Sequence, residues 1–183
     1  MAELLMKIYA IRHTSVAVEP GICYGQSDVS VANSFTIEKD KIVAKLRNVE
    51  FEQIYSSPLS RCKILAENLF DKKTIVFDDR LKELNFGDWE LKAWDEIYSD
   101  PNGIKWMNNH QTLPTLNGES YPKMVTRISE FLNELDFSKN KIIAIVAHAG
   151  VIRILKSITE KQNIDDLFKT FKPAYGSVTE LIV

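Results

Sequence analysis

The chain has 183 residues, 45% of them hydrophobic, which suits one domain able to bury about 70% of the surface its unfolded form exposes. Its 23 basic and 25 acidic residues leave a net charge of −2, so nothing draws the whole molecule to nucleic acid or an anionic membrane and any anion site must be a local cluster. No apolar run approaches the roughly 20 residues of a bilayer span, and the opening MAELLMKIYAIRH lacks the pattern of a signal peptide, so a cytoplasmic protein is expected.

In chain order, the run Leu5 to Ile11 predicts a buried strand that breaks off into Arg12-His13. The loop GICYGQSDV follows, with Cys23, Tyr24, Gln26 and Asp28. Cys23 and Cys62 have no metal-ligand spacing, and both are expected to be reduced. Ile42, Val43 and Leu46 predict a helix over Phe35 to Val49. A second strand, Glu52 to Ser56, leads into SSPLSR. There Ser57 as cap and Pro58 at the first position open a predicted helix to Phe70, with Arg61 in its first turn.

A third strand is predicted over Lys73 to Phe77. Residues 84–116 hold all three tryptophans and several turn signals, which predicts a helical insertion forming a pocket wall, or aromatics that merely fill a core. A helix over Tyr121 to Leu135, a strand from Lys141 to Ala147 ending at His148, and a strand from Val178 to Val183 complete the pattern. Strands that are continuously apolar are covered on both faces, so the expected fold is α/β: a three-layer sandwich with a mostly parallel sheet flanked by helices, in one domain over 1–183.

Three strand ends carry cationic or imidazole groups: Arg12 with His13, the Arg61 segment, and His148. Ligands bind at the carboxyl ends of parallel strands, and two guanidinium forks with two imidazoles suit a tetrahedral dianion. Other routes to phosphate chemistry fail on the residues. There is no GxxxxGK[ST] or GxGxxG loop, no arginine six residues beyond either cysteine, no GxSxG elbow and no HExxH pair. Histidine is left as the nucleophile, and no metal or cofactor is implied.

The motifs IRHT, GICYGQSDV, SSPLSRC, LKELNFGDWE, LNGES and IVAHAGVIR, in that order, resemble those of the histidine phosphatase superfamily and its phosphoglycerate mutase-like fold. The resemblance implies that His13 is phosphorylated in turnover, that Arg12, Arg61 and His148 hold the phosphoryl oxygens, and that Glu83 is the proton donor. By residue type alone Asp88 and Glu90 compete with Glu83, whose apolar neighbours Leu81, Leu84 and Phe86 favour the protonated form that a donor needs. A backbone carbonyl near the bend after Ile11 is expected to fix the His13 tautomer. Ser57 reads as a helix cap, a phosphate contact or both; Glu119 and Ser120 read as site-orienting residues or a helix start. Tyr24, Gln26 and Asp28 are candidate substrate contacts.

Two positions depart from the family pattern. Thr14 stands where glycine is usual, which predicts ordinary backbone geometry there and a hydroxyl facing phosphate, and Ala149 also replaces a common glycine. The Thr14 variant together with GICYGQSDV looks most like the α-ribazole phosphatase group, which removes the 5′-phosphate of α-ribazole phosphate in cobalamin synthesis. The expected partner is therefore a small phosphate monoester, with neither nucleic acid nor membrane. A broad-specificity sugar or nucleotide phosphatase and a non-catalytic phospho-ligand binding module are the alternatives.

Overall fold

A computed structural model describes residues 6–136 and 142–183. The elements run β1 (Lys7–Arg12), α1 (Phe35–Leu46), β2 (Gln53–Ser56), α2 (Ser60–Leu69), β3 (Ile75–Phe77), α3 (Trp94–Ser99), α4 (Pro101–Asn109), α5 (Tyr121–Asn133), β4 (Ile142–Ala147), α6 (Ala149–Thr159), α7 (Ile164–Thr170) and β5 (Val178–Ile182). Leu5 and Lys141, the expected first residues of two strands, lie outside the described residues. The strands form one sheet ordered β3-β2-β4-β1-β5, parallel except for β5, which runs antiparallel to β1.

Alternate residues of each central strand feed different cores, which is why the sequence shows no polar alternation. Ile8 and Ala10 of β1, with Ile143 and Ile145 of β4, pack against Met124, Ile128 and Phe131 of α5 and Val151, Ile152 and Leu155 of α6. Tyr9, Ile11, Ala144 and Val146 face Ile42 of α1 and Cys62, Leu65 and Ala66 of α2. The result is a sheet between two helical layers.

Local starts and stops differ from the sequence expectation in ways the packing explains. Helix α2 begins at Ser60, not Pro58, and Ser57 does not cap it. Leu59 is extended, and Asp28, reaching over from the 21–28 loop, accepts the Ser60 N–H at 2.9 Å. Helix α1 ends at Leu46 rather than Val49. Lys72–Thr74 forms a 3-10 turn with Asp71 accepting from the Lys73 N–H, which shortens β3 to three residues. Within 84–116, α3 and α4 close a small separate core in which Trp89 and Ile97 enclose Cys23, with Phe86, Trp94 and Trp106 against it.

Register fixes where the polar ends fall. Arg12 is paired with Ala147 and Ser56 with Val146, so the carboxyl ends of β1, β2 and β4 stop side by side. His13, Ser57 and His148 are the next residues along each strand.

Candidate active site

His13 is buried, and its Nδ1 lies 2.8 Å from the Thr14 carbonyl oxygen. A carbonyl only accepts, so Nδ1 carries the proton and Nε2 keeps its lone pair. Burial, reinforced by the positive charge of Arg61, lowers the His13 pKa to about 3, so the ring is neutral at neutral pH. Thr14 has no positive φ, in line with its side chain, and its buried hydroxyl has no partner among the described residues.

Two guanidiniums flank this ring. Arg61 is fully buried; its terminal nitrogens donate to the carbonyls of Ser27, at 3.0 Å, and Gly25, while its Nε is left without a partner. No carboxylate among the described residues pairs with it, which is unusual for a buried cation and marks a place for an anion. Arg12 donates to the Pro173 carbonyl at 2.7 Å and stacks on the ring of Tyr175 at 3.8 Å, and its Nε is likewise unpaired. Three orphaned donors therefore belong to the residues around His13.

His148 follows β4, its ring centre 5.2 Å from that of His13. Burial first, then the charge of Arg61, pushes its pKa well below the ordinary value. Its Nε2 lies 2.9 Å from Ser57 Oγ, so the serine orients this imidazole while also accepting the Leu59 N–H at 3.4 Å. Cys62 lies beneath the ring, its thiol pushed up to about 12 by burial and chemically inert.

Glu83 is fixed to the same strand end from outside. Its Oε2 accepts the Gly150 N–H at 3.0 Å and its Oε1 the Leu84 N–H at 3.1 Å, which sets the carboxylate against the start of α6, two residues past His148. The competing carboxylates have other tasks. Glu90 accepts the N–H groups of Gly25, Gln26, Ser27 and Phe86; burial opposes its charge, yet these bonds hold its pKa below normal, and it buckles the 25–27 loop to the 83–90 segment. Asp88 pairs with the Asn117 side chain at the surface.

The expected substrate contacts divide. Tyr24 and Tyr175 meet through their hydroxyls at 2.5 Å, with Tyr24 near the Arg61 guanidinium and Tyr175 5.5 Å from the His13 ring. The Gln26 amide nitrogen donates to the Glu83 carbonyl at 3.0 Å, which braces the backbone that carries Glu83. Asp28 caps α2. Ser120 caps α5, and Glu119 pairs with Arg127, whose remaining nitrogens take the carbonyls of Arg80, Lys82 and Glu83. Tyr175 and Arg127 escaped the sequence reading: Tyr175 lies in a loop without periodicity, and Arg127 reads as the solvated side of an amphipathic helix.

The family model for the histidine phosphatase superfamily (branch 1) matches residues 8–183. A Hydrogenobacter thermophilus protein named "Putative phosphoserine phosphatase 2" is 25% identical over 182 residues, 97% of this chain and 89% of that protein. A crystal structure of "a putative alpha-ribazole-5'-P phosphatase" from Escherichia coli str. K-12 superposes with a TM-score of 0.89 at 21% identity, covering 97% of this chain and 90% of that one. An alpha-ribazole phosphatase from Shigella flexneri gives 0.87 at 22% identity, over 96% and 89%.

Proposed function

The chain belongs to the histidine phosphatase superfamily, and on that premise we propose that it hydrolyses small phosphate monoesters through a phosphohistidine at His13. The observation that carries this reading is a neutral imidazole, with Nδ1 tied to the Thr14 carbonyl, beside a buried Arg61 that lacks a counter-charge.

The chemistry follows from those groups. The Nε2 lone pair of His13 attacks phosphorus as the ester P–O bond breaks, and Glu83 gives its proton to the departing oxygen. Arg12, Arg61, Thr14 and His148 supply donors to the phosphoryl oxygens, where phosphoryl transfer needs positioning and charge stabilisation most. Water then attacks the phosphohistidine, returns a proton to Glu83 and releases inorganic phosphate. No step calls for a metal ion.

For the substrate we propose α-ribazole 5′-phosphate. The reading is supported by the GICYGQSDV loop and Thr14, and by the likeness in fold to two proteins so described. It is tested by ranking kcat/KM over a panel of monoesters that includes α-ribazole phosphate and phosphoserine, with and without a chelator. A clear preference for α-ribazole phosphate, unaffected by chelation, is the expected result. A flat ranking favours a broad-specificity phosphatase, and phosphate binding with no turnover of any ester favours a binding module.

A further inference from the structure

A cavity of about 140 Å³ opens beside Glu83. Phe86, Trp106, Tyr121, Met124 and Phe168 make most of its wall, and His110 and Arg153 add polar groups to it. Nothing in the catalytic cycle uses these residues. Glu83 joins the two places, since its carboxylate lines the cavity while holding the Gly150 N–H beside His148. An ester oxygen within reach of Glu83 therefore leads its organic group this way.

The cavity has particular size and chemistry. Its volume is close to that of an engineered cavity of about 150 Å³ that accepts benzene. Phe168 meets the Tyr121 ring edge-on at 5.1 Å, presenting aromatic surface to an occupant. Tyr121 is 8% exposed, yet its hydroxyl has no partner among the described residues, where a buried hydroxyl is normally paired. Burial and the nearby Glu83 keep that hydroxyl protonated, so it is a donor in search of an acceptor. Arg153 donates through Nε to the Phe171 carbonyl and lies over the Phe168 face; its charge is set against Glu83. Apart from Glu83, His110, Tyr121 and Arg153 the wall is apolar or aromatic, so a carboxylate on the occupant would give up its hydration against rings and a thioether.

We propose that this cavity receives the alcohol portion of the substrate, and that it selects one uncharged aromatic ring carrying a hydrogen-bond acceptor for Tyr121. The proposal rests on the phosphatase reading for the position of the ester oxygen, but not on any one substrate. It excludes compact acidic leaving groups, of the kind released from phosphoserine, as preferred ligands.

Titration with non-hydrolysable phosphonates tests it, because binding is read apart from turnover. Benzylphosphonate is expected to bind the protein at least about tenfold more tightly than methylphosphonate, a ratio well above titration error. Phosphonoacetate is expected to bind no better than methylphosphonate. Phe168→Ala, and independently Trp106→Leu, are expected to shrink the benzyl advantage several-fold while leaving methylphosphonate affinity in place. Equal affinities for the benzyl and methyl compounds, tightest binding of phosphonoacetate, or variants that weaken both ligands alike would overturn the proposal. A benzyl advantage without turnover of p-nitrophenyl phosphate upholds the ring site and counts against the phosphatase reading alone.

Discussion

The Gly150 N–H donates to one oxygen of Glu83 at 3.0 Å, and a Cβ at position 150 would come within 2.2 Å of the other oxygen. The glycine thus permits the carboxylate to sit against the start of α6. Gly150→Ala is expected to fold, because the obstructing atom ends a flexible side chain, and to displace Glu83, the proposed proton donor. Alkyl phosphates need a protonated leaving oxygen far more than p-nitrophenyl phosphate does. General acid catalysis contributes about 10²- to 10⁴-fold, so the loss in kcat is expected to be at least about tenfold larger for alkyl esters. Equal losses on both would remove Glu83 from the proton-donor role.

Arg61 is held in place by two carbonyls, those of Ser27 and Gly25, which aim the rest of its fork at the site. A lysine at this position keeps the charge but has no planar fork. Arg61→Lys is expected to lower kcat/KM at least about 10²-fold, the loss that follows removal of a preorganised donor to developing charge. Weakened competitive inhibition by inorganic phosphate should accompany it. Unchanged phosphate inhibition would place the anion elsewhere.

The depressed pKa of His13 has a consequence for acid stability. Below the ordinary histidine value of 6.5 the unfolded chain takes up a proton that the folded chain refuses until about pH 3. Stability therefore falls as pH drops through this window, by up to about 1.4 kcal/mol per pH unit for one such group. His148 adds in the same direction. Denaturant titrations of wild type and His13→Gln between these limits should give a shallower slope for the variant. Parallel slopes would mean that His13 is protonated in the folded state.

Arg127 grips the carbonyls of Arg80, Lys82 and Glu83 and is itself gripped by Glu119. This fixes the backbone that carries Glu83, without contact to the reacting atoms. Arg127→Lys cannot span the set, and leaving a buried acceptor unpaired costs about 1–3 kcal/mol. The expected outcome is a lower Tm together with a kcat loss greater on alkyl than on p-nitrophenyl esters. Loss of stability with equal kinetic effects on both ester types would make the clamp structural only.

The sheet and the cluster at its carboxyl edge were legible for one physical reason. Continuous apolarity at Ile8 to Ile11 and Ile142 to Ala147 reports burial on both faces, and a parallel sheet between helices gathers its strand ends. Elements built from long-range contacts were not legible. Helix α6 continues the apolar run of β4 past His148, so no change of period marked it, and α7 is a short helix capped by Asn163. Ser57 carries the signature of a cap in sequence; only the approach of His148 and of Asp28 to Ser60 shows why it is not one. Gln26 and Glu90 resembled site residues by type; Gln26 bonds to Glu83, and three of the four donors to Glu90 lie more than 60 positions away.

Transfer of the phosphoryl group to Nε2 of His13, as proposed, leaves an intermediate that rapid quenching traps. Protein mixed with a radiolabelled phosphate monoester and quenched in base should carry label that is stable in base, released by acid, and confined to the peptide containing His13. His13→Ala should carry none. Turnover with no trapped label, or label on any other side chain, would contradict the account.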